Sequence, residues 1–159
     1  MNDILHLLQK NARFTSAELA DRLNLGETEI NEQIVELEEN GTILGYHTVV
    51  DPDKMDGDDV TALIEIKLTP ERDGGFDRLA ERIAKFDQVT SCYLMSGGYD
   101  LAVVVEGANL KDVARFVSEK LSSLEGVLAT STHFQLKVYK QSGFLASDGF
   151  EDQRLSVSP

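Results

Sequence analysis

Ser96, Gly97, Gly98, Tyr99 and Asp100 hold the residues of this chain best suited to binding chemistry. They lie between two apolar, β-branched runs, Val89 to Met95 and Leu101 to Glu106. Such runs, joined by a short glycine-containing stretch, read as a β-hairpin with buried strands. Gly97 and Gly98 can take positive φ and leave backbone N–H groups open to a small partner. Asp100 is the one nearby carboxylate, suited to an ammonium group. N–H donors and a carboxylate on one turn can hold a free amino acid by both ends. Tight hairpins also use glycines without any ligand, and an aspartate can simply cap a turn, so spacing alone leaves both readings open.

Other chemistries find no support. His6, His47 and His133 fall in different elements without metal-ligand spacing, and the one cysteine, Cys92, sits inside an expected strand. No metal site, cofactor or internal disulfide is expected. A phosphate-cradling glycine loop, a nucleophile elbow and a His-Glu helix motif are all missing, so no residue is assigned as catalytic and the chain is read as a non-enzyme. No apolar run approaches the roughly 20 residues of a membrane span. The start, Met1 to Ile4, lacks the regions of a signal peptide. The expectation is a cytoplasmic protein with no membrane partner.

The 159 residues suffice for one ordinary domain or two small ones. The first third is helical. Ile4, Leu5, Leu7 and Leu8 form one apolar stripe ending near Asn11. Thr15 and Glu18 form a capping box that starts a second helix carrying Leu19, Ala20 and Leu23. Asn24, Leu25 and Gly26 turn into a third helix, with Ile30, Ile34 and Leu37 on one face and a stop at Asn40 and Gly41. Thr42 to Val50 reads as strand. This is a winged helix-turn-helix over residues 1–50. Residues 51–59, acidic and rich in breakers, read as a linker.

Residues 60–140 alternate. Val60 to Leu68 is a strand, and Phe76 to Phe86 a helix facing inward with Phe76, Leu79 and Ile83. The hairpin follows. Leu110 to Leu124 is a helix with Leu110, Val113, Val117, Leu121 and Leu124 at helical spacing, ended by Gly126. Val127 to Tyr139 is the last strand. The order is the ferredoxin-like βαββαβ unit, so the fold class is α+β. Two helices cover one face of such a sheet. The other face also reads as apolar, and a second copy of the chain is expected to cover it. Residues 141–159, with Lys140 before them, form a tail without periodicity, for which disorder and docking are both open.

Taken in order, three features are similar to the Lrp/AsnC (leucine-responsive, feast/famine) regulators. They are the helix-turn-helix, the stretch from Gly41 to Tyr46 leading into Asp51 and Pro52, and the turn from Ser96 to Asp100. Leu124 to Val127 followed by Thr130 and Thr132 resembles that family's last helix-to-strand junction. The resemblance implies an amino-acid-responsive, sequence-specific transcriptional regulator that binds double-stranded DNA. It also implies a homodimer assembling further, often to octamers, with the effector held between subunits. Carried over, the effector residues are Met95, Gly97, Gly98, Tyr99 and Asp100, with Thr130 and Thr132 on the neighbouring strand. Sirohaem decarboxylases share the overall plan but carry histidines beside the hairpin, and this chain has none there.

The DNA-reading helix departs from the pattern. From Gly26 to Asn40 there are six glutamates and no lysine or arginine, in a chain of 28 acidic against 15 basic residues and net charge -13. Thr28, Asn31, Glu32, Gln33, Val35 and Glu36 are the expected groove-facing positions. Glutamate can accept from cytosine N4, yet phosphates repel it. Compensating groups are Lys10, Arg13 and Arg22, with Thr15 and Ser16 as phosphate donors. Three readings stay open: weak DNA binding strengthened by multivalency, a basic protein partner in place of DNA, or a solvated structural helix. The second of these makes the chain a ligand-sensing oligomerisation module that acts through proteins.

Overall fold

The computed structural model describes residues 3–57, 59–70 and 76–146. The chain divides into two compact units between Val49 and Val50.

In the first unit α1 is Asp3–Lys10, α2 Ser16–Leu23 and α3 Glu27–Glu39. Ile4 and Leu8, one turn apart on α1, meet Leu19 and Ile30, and these four form the buried core. Leu7, Phe14, Ala20, Leu23, Ile34 and Ile43 pack around them. The capping box is present in full. Thr15 Oγ1 accepts from the Glu18 N–H, and Glu18 Oε2 accepts from the Thr15 N–H at 2.8 Å. Asn24 ends α2 in the left-handed region at φ 53°, which its short polar side chain tolerates. These two signals set the tight turn that aims α3.

The expected strand from Thr42 to Val50 does not form. The segment bends at Thr42 and Ile43 and joins no ladder; among the described residues its backbone donates only from Thr42 N–H to Asn40 Oδ1 and from Ile43 N–H to the Leu37 carbonyl. Its β-branched composition favours extension, but a strand also needs a second strand for its ladder, and none of the described strands pairs with it. Leu44 is accordingly 95% exposed. The linker contains one 3-10 turn, Pro52–Lys54, capped by the Asp51 side chain.

The second unit is a four-stranded antiparallel sheet in the order β2-β3-β1-β4. Its elements are β1 Val60–Leu68, α4 Asp77–Ala84, β2 Val89–Leu94, β3 Leu101–Gly107, α5 Leu110–Phe116 and β4 Val127–Phe134. Ala62, Ile64, Ile66 and Leu68 alternate along β1 toward the helices, where they join Leu101, Val103 and Val105 of β3. Leu79 and Ile83 of α4 and Val113 and Phe116 of α5 complete the layer, with Phe86 meeting Phe116 edge to face. Cys92 lies on this side at half burial, and burial pushes its thiol up, away from thiolate chemistry.

Three further expectations are corrected. The long helix from Leu110 to Leu124 is α-helical only to Phe116 and then widens into a π turn, Val117–Leu121, with the Ser122 N–H reaching back to Val117. The wide turn keeps Leu121 fully buried, while Leu110 is exposed and outside the core. The last strand stops at Phe134, and Lys140–Gln141 then pairs with Phe144–Leu145 as the small β5–β6 hairpin, so ordered structure continues past residue 140. Ser142 and Gly143, both at positive φ, make its turn. The uncovered sheet face is mixed and not uniformly apolar. Alternation puts Leu63, Tyr93, Ala102 and Val104 there, beside Glu65, Lys67, Ser131 and His133. The rest of the tail, 147–159, lies outside the described residues.

Two predictions follow from this geometry. The Thr15 N–H and then the Thr15 hydroxyl hold the Glu18 carboxyl below its ordinary 4.5. Its contribution is present above that value and lost as pH falls through the lowered one. Glu18→Gln should therefore destabilise the protein at pH 7, with the difference from wild type vanishing in acid, in thermal unfolding followed against pH. Gly126 stands at φ +96° with Leu79 Cδ2 3.1 Å from where a Cβ would be. Gly126→Ala should cost roughly 1–3 kcal/mol in urea unfolding.

Candidate functional site

The loop between β2 and β3 is closed at its base by Met95 N–H donating to the Asp100 carbonyl at 2.8 Å. Gly97 takes φ 147°, the positive value expected of it, while Gly98 does not. Nothing stands within 4 Å of where a Cβ would sit at either glycine, so a ligand can approach the bare backbone. Among the described residues, the N–H groups of Ser96, Gly97, Gly98 and Tyr99 have no hydrogen-bond partner. Met95 is exposed and Tyr99 half-buried at the rim.

Asp100 is more committed than its sequence position suggests. Its N–H donates to the Ile66 carbonyl at 2.9 Å, and its Oδ2 accepts from the Leu68 N–H at 2.7 Å. The β1–β3 ladder ends at Ile66 opposite Leu101, so β3 offers no further carbonyl to Leu68, and the aspartate side chain supplies the acceptor. Leu68 is 3% exposed. Leaving such a buried donor without a partner costs about 1–3 kcal/mol. Among the described residues, the second carboxylate oxygen of Asp100 has no hydrogen-bond partner.

Thr130 and Thr132 stand on β4, on the far side of β1 from the hairpin strands, opposite Ile66 and Ile64. Two strand spacings, about 10 Å, therefore separate Thr130 from Leu101. Thr130 Oγ1 lies 3.2 Å from Ser122 Oγ on the helix side. Loop and threonines share one end of the sheet without touching. The residues that link them are Ile66, Leu68 and Thr69, whose N–H donates to the Gly126 carbonyl at 2.8 Å. The sequence pattern reads Val60 to Leu68 as one strand. The shift in register at Lys67 and Leu68 leaves no mark on the alternating pattern that could have revealed it. A cleft of about 850 Å³ beside α4, lined by Thr69, Arg82, Lys85 and Gly126 among others, contains none of the loop residues.

In the first unit, α3 presents Thr28, Asn31, Glu32, Val35 and Glu36 to solvent, as expected, and Gln33 is half-buried and donates to Glu29. Lys10 ends α1, and Arg13 sits in the turn after it, outside either helix. Three of the expected phosphate contacts are already engaged. The Thr15 hydroxyl serves the capping box, Ser16 donates to Asn31 Oδ1, and the Arg22 guanidinium lies 4.5 Å over the Phe14 ring. The Ser16–Asn31 bond ties α2 to α3 and so fixes the angle of the outward face.

Two family models match this chain. Residues 2–43 match the winged helix-turn-helix DNA-binding model, and residues 61–145 the Lrp/AsnC ligand-binding domain. The HTH-type transcriptional regulator YugG of Bacillus subtilis is 46% identical over 99% of this chain and 95% of its own length. The leucine-responsive regulatory protein of Haemophilus influenzae is 27% identical over 89% and 85%. A Neisseria meningitidis transcriptional regulator solved as a complex with L-Met superposes with TM-score 0.67 at 26% identity, covering 87% of this chain and 88% of that one. The chain belongs to the Lrp/AsnC family of transcriptional regulators, with a helix-turn-helix DNA-binding unit followed by a ligand-binding unit.

Proposed function

We propose that this regulator responds to a free amino acid held at the loop from Met95 to Asp100, in a site completed by a second copy of the chain. The observation that carries the reading is the row of open N–H groups on Ser96, Gly97, Gly98 and Tyr99, which suits the carboxylate of an amino acid. The remaining Asp100 oxygen suits its ammonium group. No other carboxylate lies in the loop, so a neutral side chain, bordered by Met95 and Tyr99, fits better than a cationic one. The relative solved with L-Met and the leucine-responsive relatives support the same class. No cofactor beyond this effector enters the scheme.

Thr130 and Thr132 lie on the helix side of the sheet and cannot close over the loop within one chain, which favours a boundary between subunits other than the uncovered face as the place where these groups meet. The apolar strip of Leu63, Tyr93, Ala102 and Val104 on the uncovered face is the surface for a homodimer, and dimers assemble further. The effector biases the equilibrium between assemblies, and through it the spacing of helix-turn-helix units along double-stranded DNA in the cytoplasm. Lys10 and Arg13 supply phosphate contacts, while Thr28, Asn31, Glu32 and Gln33 face the groove. The acidic α3 gives the second reading, a module that engages a basic protein through that helix.

Selection of genomic fragments at low salt, with and without pooled amino acids, tests the first reading. Selective binding is expected, with log K falling against log salt at a slope of about −2 per helix-turn-helix. Failure of the folded oligomer to bind at low salt would sink it. Replacing Glu32 and Glu36 by Arg separates the two readings: DNA affinity and salt slope should rise strongly, whereas loss of a basic protein partner would favour the second.

A further inference from the structure

We propose that Asp100 has a positioning role beside its place in the effector site: one carboxylate oxygen latches the effector loop to the end of β1, and a neutral acceptor can serve that latch. Two bonds make the latch, the Asp100 N–H to the Ile66 carbonyl and the Leu68 N–H to Asp100 Oδ2. They add one rung to the β1–β3 ladder where β3 has already turned into the loop. The next residue, Thr69, bonds Gly126 at the start of β4, and Ile66 is registered against Thr130. Loop, β1 end and β4 start therefore form one hydrogen-bonded unit. An occupant that moves the loop pulls on Leu68 and, through it, on the strand that carries Thr130 and Thr132. Nothing stands within 4 Å of a Cβ at Gly97 or Gly98, so the tip of the loop has no packing at these two positions and is held from its base. The latch itself is independent of any ligand; its part in the response rests on the effector site proposed above.

The test uses full-length protein with Asp100→Asn, which keeps an acceptor oxygen and loses the charge, beside Asp100→Ala, which loses both. Hydrogen exchange on peptides covering residues 64–70 reads the latch. The shift in melting temperature produced by an equimolar mixture of the twenty amino acids reads the response. In Asp100→Ala, exchange at Leu68 should rise about tenfold or more and the response should vanish. In Asp100→Asn, protection should stay within about threefold of wild type, while the response should fall, because the effector's ammonium group loses its carboxylate. Unchanged protection in Asp100→Ala overturns the latch. Loss of protection in Asp100→Asn as large as in Asp100→Ala also overturns the proposal, because an acceptor oxygen at this position would then not be what holds the loop. Should Asp100→Ala fail to fold, Asp100→Asn decides alone by exchange, where protection lost at Leu68 overturns the latch. If wild type ignores the mixture, the effector reading falls, and exchange alone decides the latch.

Discussion

The end of β1, from Ile66 to Thr69, carries the hydrogen bonds on which the ligand-binding unit depends. β1 is a central strand, with β3 on one side and β4 on the other, so its backbone has partners in both directions. Both ladders become irregular at this end. β3 leaves the sheet at Leu101, and β4 shifts register between Lys67 and Leu68. Donors in a buried strand cannot be left empty, and the chain fills the gaps with one side chain, Asp100, and one junction carbonyl, Gly126. The place where regular pairing fails is thus where the hairpin loop and the last strand are joined.

That arrangement accounts for the uneven legibility of the sequence. Local chemistry was readable: the Thr15–Glu18 box depends on a spacing of three residues, and α3 turns outward the face that its apolar period requires. The βαββαβ order was readable too, because each element carries its own periodicity. The bonds of Asp100 were not, since the partner of a side chain 32 positions away leaves no periodic trace. Nor was the fate of Thr42 to Val50: composition encodes extended backbone, while strand formation depends on a neighbour that composition does not specify. The π turn at Val117 escaped for a related reason, since the apolar spacing of Val113, Val117 and Leu121 suits a wide turn as well as an α-helical one.

The first unit shows how far geometry and electrostatics can part. Its core is four buried residues, and Ser16 and Arg22 are spent on orienting and packing the helices. α3 places Glu27 and Glu29 at its amino end, where the helix dipole favours them, and Glu38 and Glu39 at its carboxyl end, where it does not. The shape is that of a DNA reader, and the charge of α3 opposes phosphate. A weak individual contact has a functional consequence. When one helix-turn-helix binds poorly, occupancy depends on how many units an assembly presents in register, because linked sites gain effective concentration without any new contact. A ligand that favours one assembly over another then needs a differential affinity of only about 1–3 kcal/mol to change DNA occupancy by one to two orders of magnitude. On the reading proposed here, the acidic helix makes the regulator reliant on its assembly, and that assembly forms through the unit that carries the latch at β1.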